Sequence, residues 1–568
     1  VRGASQAYGL SFVPGTWVES IQITKGAGSV INGYESISGQ INYEVLKPFN
    51  DIPFFLNLYG SQDSRYELNT HFNHKYSDKL SSTLFLHGNT RQSRNDMNAD
   101  GFLDNPIGKQ VNILNRWQYN DSEKGWVSFL NFRYMNDGKQ AGEVDFNPET
   151  DKFTTNAWGS EINTEKIEIS NKTGYVFPDM PFQSFGFQNS FQSHKQESYF
   201  GFNKYNIHQK SYYSNLLFNS IISNTKNKFT TGINVAYDQY NEAVTLNFNR
   251  DFSRIDNSVG AFFEYTFDNL DNFSLVAGAR IDQHNRLGTF ITPRLHIRYN
   301  PWDKAVIRAS VGRGKRAANI FAENQQLFAS NRNFSILNSD GKLYGLNPEI
   351  AWNYGVSFIQ KFKLLGMSSE VVFDYYVTDF QNQAVVDIDA NAQQVLFYNL
   401  EGKSFANSFQ AEFSIELIKH LNFKSAYKYF DVQTQYTSGQ LQRALQAKHR
   451  IFWNLSYETH IKEKGQQWKF DVTYNWLGEQ RLPNTSSNPE AFQLGKYAPA
   501  FAIVNAQLTR TFSSTFELYV GGENMGNYKQ NNGIVQSENP FGTYFDSSML
   551  YGPVFGQMYY AGLRFKIK

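Results

Sequence analysis

Apolar and polar side chains alternate with period two along most of this chain, in short runs broken by polar turns. In 468–476, Trp468, Phe470, Val472, Tyr474 and Trp476 share one face, and Lys469, Asp471, Thr473 and Asn475 share the other. In 229–238, Phe229, Ile233, Val235 and Tyr237 oppose Thr230, Gly232, Asn234 and Asp238. In 370–378, Val371, Phe373, Tyr375 and Val377 oppose Glu370, Asp374 and Thr378. A soluble sandwich, with its apolar face turned inward, is the alternative, but such a domain uses about seven strands in about 100 residues. Here the rhythm runs on for roughly five times that length without a linker. It predicts one all-β fold, a transmembrane antiparallel β-barrel of about 22 strands, within a count of roughly twenty to twenty-four.

A membrane strand needs about 9–11 residues to cross, so much length is left for extensions and loops. Short turns such as Ser77-Asp78 and Ser513-Ser514 are expected on one side, and long loops on the other. The expected loops are 93–109, 142–160, 322–346, 388–394, 437–446, 482–496 and 529–550. The first residues differ in texture, with glycine at 3, 9, 15, 26, 28, 33 and 39. A barrel this wide encloses water or a plug, and a glycine-rich segment ahead of the first wall strand is the natural plug. The domains are therefore read as 1–48, the C-terminal part of a plug, and 49–568, the barrel.

Composition sharpens this picture. Aromatics reach 16% while charged residues are only 18% and mean hydropathy is −0.51. That mixture suits a wall with one face in lipid and one in water, with Tyr and Trp at the interfaces. There is no cysteine, which excludes thiolate metal sites, disulfides and a Cys nucleophile. Net charge is +1, without the basic excess of a nucleic-acid binder. No run of 18 apolar residues is present, so no spanning helix is expected. The sequence opens at Val1 without the secretion signal that an outer-membrane barrel requires, so a mature or partial chain is expected.

Residues 17–48, WVESIQITKGAGSVINGYESISGQINYEVLKP, resemble the end of the plug in TonB-dependent receptors. The matching positions are Glu19, Ile21, Ile23, Lys25-Gly26, Ser29, Gly33 and Ser38-Gly39-Gln40-Ile41-Asn42. Lys25 stands where Arg is commoner, and Gln40 where a second Gly is commoner. ELYVGGENMGNYKQ (517–530) resembles the family's penultimate strand, and FDSSMLYGPVFGQMYYAGLRF (545–565) its last hairpin, especially in the Bacteroidetes group. RASVGRGKRAANIFAEN (308–324), LNPEIAWNYG (346–355) and YNLEGKSFANSFQAEF (398–413) resemble recurring barrel segments. The resemblance implies a plug–barrel contact through Glu19, Lys25, Gly26, Gly33 and Gly39. It also implies a TonB-binding box and further plug residues ahead of this sequence.

Candidate chemistry is sparse. Asp96-Met97-Asn98-Ala99-Asp100-Gly101-Phe102-Leu103-Asp104 reads D-x-N-x-D-G-x-x-D. This is the donor spacing of a structural Ca²⁺ loop, with Asp96, Asn98, Asp100, the Phe102 carbonyl and Asp104 as ligands. Ile107 stands where an EF-hand has its Glu, and the alternative is a polar turn rich in Asp and Asn. His71 and His74 fall on opposite faces of a strand, and His87 comes near His71 across a hairpin. Arg313, Lys315 and Arg316, with Asn319 and Glu323, enter a long loop, and Arg481 begins another. Each is a candidate for holding an anionic chelate, or else lines the lumen or steadies the plug. No nucleophile elbow, phosphate loop or catalytic acid pair is present, so no enzyme and no required cofactor are expected.

The resemblance implies active import of a scarce ligand across the outer membrane, driven by the TonB–ExbB–ExbD complex. The expected cargo is a metal chelate such as a ferric siderophore, or a metal ion. The surrounding partner is outer-membrane lipid. A second reading is a structural or accessory subunit of an outer-membrane assembly, for secretion or surface anchoring, with a protein partner.

Overall fold

The computed structural model describes residues 3–337 and 340–568. Residues 1 and 2 of the expected plug segment, and 338 and 339 of the expected loop 322–346, lie outside the described residues. Among the described residues, 22 antiparallel strands close one barrel, from Phe54–Ser61 to Met558–Ile567. These two end strands pair with each other, Phe54 opposite Ile567 and Ser61 opposite Tyr560. Closure leaves no unpaired edge, which is what hydrocarbon demands of a sheet. Among the described residues no helix is long and apolar enough to cross a membrane.

The wall is inside-out relative to a soluble sandwich. Phe470 and Val472 are each 42% exposed on the outer face, and Ile233 is 55% exposed. Asn234, beside Ile233, and Asp374, between the exposed Phe373 and Tyr375, are buried in the lumen. A soluble core would reverse this, so the outer face is the lipid face. At the short-turn end, rings from neighbouring strands form a ladder. Trp126 packs on Tyr175 at 4.8 Å, Phe185 on Phe218 at 4.8 Å, and Phe229 on Phe263 at 5.8 Å. Amphipathic and aromatic rings at this level form an interfacial girdle. An apolar trough of about 700 Å³ near Gly60, Val520 and Ala561 also faces outward, away from the lumen.

Strand lengths are uneven. Asn203–Ile222 has 20 residues and Asn224–Thr245 has 22. Phe54–Ser61 and Phe516–Glu523 have 8 each. At roughly 3.3 Å per residue, the tall strands are about 40 Å longer than the low ones, measured along the tilted strand. The extra length alternates polar residues outward, so it rises out of the membrane.

The long loops fold inward as a roof. Phe321, Phe328, Phe334, Phe397 and Phe545 are at most 1% exposed and form its core. Asn333–Ile336 pairs in parallel with Gln394–Asn399, which pairs antiparallel with Ala384–Asp387. The buried Arg332–Asp546 pair, at 2.7 Å, ties this sheet to the last long loop. Inside the barrel, Val18–Lys25 and Gly39–Val45 form a separate two-stranded sheet. Residues 46–53 then lead to the first wall strand.

Candidate functional site

The loop between the two inner strands, residues 26–38, is clasped by one sector of the wall. Arg280 and Asp282 are fully buried and bonded at 2.6 Å and 2.7 Å. Arg280 also donates to the Val30 carbonyl at 2.8 Å and to Asn234 at 2.7 Å. Arg294 donates to the carbonyls of Ser29, Gly33 and Ser36. His296 donates to the Gly28 carbonyl at 2.7 Å, and Ser29 donates to Glu264 at 2.6 Å. A loop buried in a lumen, with only a single 3-10 turn at Val30–Asn32, must find partners for its carbonyls, and these guanidiniums help supply them. Close approach is granted by lumen-facing glycines. A Cβ at Gly278 would meet Val30 at 2.7 Å, one at Gly314 would meet Ile37 at 2.6 Å, and one at Gly312 would collide with Ala27.

The expected plug residues play unequal parts. Gly26 (φ +85°) and Gly33 (φ +101°) hold backbone conformations that favour glycine. Gly26 packs against Ser310, Asn353 and Tyr376 of the wall, and Gly39 lies against the Thr24 carbonyl. Lys25 forms an ion pair with Asp374 of the wall strand Met367–Asn382. Glu19 does not reach the wall; it lies 3.6 Å from Lys47 in the connecting segment.

Opposite the clasp, the wall from Glu349 to Leu477 leaves open space. A cavity of about 580 Å³ lies under the roof, lined by Arg316, Glu349, Gln383, Val432, Arg443 and Arg450 among others. A second of about 420 Å³ shares Gln383, Val432 and Arg443 with it and descends to Lys25, Asp374 and Tyr376. A third of about 430 Å³ shares Lys25, Asp374 and Tyr376 with the second and continues to Ser274 and Ile359, near the short-turn end. The three form one series along one side of the barrel, interrupted at the Lys25–Asp374 pair.

The four basic residues singled out from the sequence do not form one cluster. Gly312 and Gly314 face the inner loop, so Arg313 between them faces outward, opposite Trp352 in register. Lys315 donates to the Leu287 carbonyl at 2.9 Å and lies over the Phe290 ring. Arg316 faces the roof cavity and is bonded to Glu323 at 2.8 Å and Glu349 at 2.5 Å. Arg481 grips Asp389 through two bonds of 2.6 Å and 2.9 Å, joining the loops 388–394 and 482–496. The lumen residues Arg443, Arg450 and Lys428 were not singled out. Their signal was cations at inward positions of strands that carry few carboxylates.

The Asp96–Asp104 loop spends its acceptors on its own backbone. Asp96 accepts from the N–H groups of Asp100 (3.1 Å) and Gly101 (2.9 Å), Asp100 from that of Phe102 (2.9 Å), and Asp104 from that of Met97 (2.7 Å). Asn98 donates to Asp100 at 2.9 Å. Burial, helped by the charges of Asp96 and Asp100, pushes the Asp104 carboxyl up to about 6. Among the described residues no three His, Asp or Glu side chains are arranged to hold a metal ion. His87 pairs with Asn69 at 2.7 Å and His71 with Asp51 at 3.0 Å, so each is engaged separately.

Known proteins place this architecture. Residues 28–525 match the family described as TonB dependent receptor-like, beta-barrel. No curated protein matches the chain. Among solved structures it is similar to the siderophore receptor PirA of Acinetobacter baumannii, with TM-score 0.72 and 14% identity over 98% of this chain and 86% of that one. It is also similar to a ferric enterobactin receptor mutant of Pseudomonas aeruginosa in complex with enterobactin, with TM-score 0.75 and 13% identity over 98% and 87%. A third is the outer-membrane ferripyoverdine receptor of Pseudomonas aeruginosa bound to ferripyoverdine, with TM-score 0.72 and 12% identity over 99% and 79%. At these identities the likeness is one of fold. The family match covers most of the chain, and the chain belongs to the TonB-dependent receptors: it is an outer-membrane β-barrel of 22 strands, a transporter and not an enzyme.

Proposed function

We propose that this protein imports a metal chelate of the ferric-siderophore kind, or a metal ion, across the outer membrane, with energy delivered by the TonB–ExbB–ExbD complex through the plug. The observation that carries this reading is the series of cavities from the roof to the short-turn end, interrupted by the Lys25–Asp374 pair. A pull on the inner hairpin acts on that pair directly, because Lys25 ends one of its strands. Ligand above and pulling below are then two biases on one element, which is what coupling between sites requires. The siderophore receptors of similar fold support the choice of cargo.

The test is growth of a deletion strain on limiting iron or copper, with metal analysis of protein purified from native membranes. A matching growth defect and a co-purified metal or chelate are expected. Normal growth together with a stoichiometric protein partner would overturn the import reading in favour of an assembly subunit. For the Asp96–Asp104 loop, the reading its bonds favour is a polar turn. An unchanged melting temperature in a calcium chelator is expected, and a fall would assign the loop a structural Ca²⁺.

A further inference from the structure

The carboxylates lining the upper two cavities are all committed. Glu323 and Glu349 are bonded to Arg316, Asp389 to Arg481, and Asp374 to Lys25. Three cations on the same surface have no such partner among the described residues. Arg443 lines both cavities, Arg450 the upper and Lys428 the lower. Arg443 and Arg450 are exposed to the lumen, and Lys428 is half-buried with its ammonium over the Phe430 ring. Lys428 is within electrostatic reach of both Arg450 and Lys25.

The balance is therefore positive. Counting Arg481, which lies just behind Asp389, six cations (Lys25, Arg316, Lys428, Arg443, Arg450, Arg481) face four carboxylates. Unneutralised like charges held together in a cleft cost the protein free energy and focus a field on whatever enters. The two guanidiniums stand free at the wider end, where they can fork onto acceptor oxygens. Phe380, Phe430 and Tyr376 give the lower cavity an apolar lining between these charges. Each volume falls in the range of about 300–1,000 Å³ usual for small-molecule sites.

We infer that the cargo is an anion, taken up in the roof cavity by Arg443 and Arg450 and passed towards Lys428. This rests on the import reading and specifies the charge of what is imported. Arg316 and Arg481, the more obvious basic residues in sequence, are excluded from direct capture because their guanidiniums are already bonded to carboxylates.

The test uses the full chain in detergent micelles and two octahedral ferric complexes of similar size, a tris-catecholate of charge −3 and a neutral tris-hydroxamate. Binding is read by quenching of intrinsic fluorescence. The trianion should bind at least tenfold more tightly than the neutral complex. Arg443→Gln with Arg450→Gln should abolish that preference and keep the heat-modifiable mobility of a folded barrel on gels. Arg443→Lys with Arg450→Lys, which keeps the charge, should restore most of the preference. Equal affinity for the two complexes, including no binding of either, overturns the inference, as does a preference that survives the Gln variant. Uptake of the labelled trianion into cells with and without TonB separates the two claims. Uptake that ignores TonB removes the import reading and leaves the binding result intact. TonB-dependent uptake that survives the Gln variant removes the anion cavity and leaves import standing.

Discussion

The wall of this barrel treats the plug differently on its two sides. From Arg254 to Arg316, neighbouring strands present buried guanidiniums and glycines that seize the backbone of residues 26–38. From Glu349 to Leu477, the wall is comparably polar, yet one ion pair, Lys25–Asp374, spans the gap. The difference lies in what the charges bond to. On the first side they donate to backbone carbonyls of the inner loop; on the second they satisfy side chains or nothing. A contact to a buried carbonyl cannot be exchanged for water without cost, whereas a half-exposed ion pair can. One side is built to hold and the other to let go.

The largest expected effect tests the holding side. Arg280→Ala leaves Asp282 buried without its counter-ion and the Val30 carbonyl with only the Gly33 N–H, and should cost about 3–5 kcal/mol. It is read as a drop in unfolding temperature and as proteolytic cleavage near Val30. Next comes Arg481→Ala, which strands Asp389 at 1% side-chain exposure. A loss of about 3 kcal/mol is expected, felt as protease sensitivity of the loops 388–394 and 482–496 while the barrel's own unfolding is unchanged. Should the barrel melt instead, roof and wall are one cooperative unit and the comparison fails.

A smaller effect separates roof from wall by pH. The Asp104 carboxyl titrates near 6 in the folded chain against an ordinary value of 3.8. The folded state then keeps a proton that the unfolded state has lost, so this group's contribution to stability falls as pH rises from about 4 to 6 and stays low above it. Asp104→Asn keeps the acceptor for the Met97 N–H and removes that slope. It should be of order 1 kcal/mol more stable than the parent at pH 8, after allowance for solvent screening, and no more stable below pH 4. The smallest effect belongs to the releasing side. Lys25→Ala combined with Asp374→Asn removes the pair, whose lysine is 38% exposed, without stranding the buried carboxylate, and should cost under about 1 kcal/mol of stability. A loss equal to that of Arg280→Ala would erase the distinction between the two sides.

Much of this was legible beforehand, and the reasons are local. Trp468, Phe470 and Val472 alternate with Lys469 and Asp471, and a period of two survives whatever the strand pairs with. The glycine-rich approach to Gly39 marked the inner hairpin for the same reason. What could not be read are relations between distant residues. Arg481 resembles a ligand-binding residue until Asp389, far away in sequence, is seen to occupy it. Arg443 and Arg450 look unremarkable until every nearby carboxylate is found bonded elsewhere. Gly278, Gly312 and Gly314 did carry a signal, since glycine within a strand marks close backbone approach, but no one strand shows what approaches. The parallel pairing of Asn333–Ile336 with Gln394–Asn399 is too short to leave a pattern.

The seam where the chain meets itself is among its shorter ones. First and last strands share eight facing pairs, whereas Asn203–Ile222 and Asn224–Thr245 share a ladder that spans nearly the full length of both. The staves on either side can only be joined once the last strand has been made, and that join has few rungs to zip. It is therefore the natural last event of assembly, so a cross-link between the ends at Ser61 and Tyr560 would slow the opening of the whole cylinder more than one placed between two tall strands.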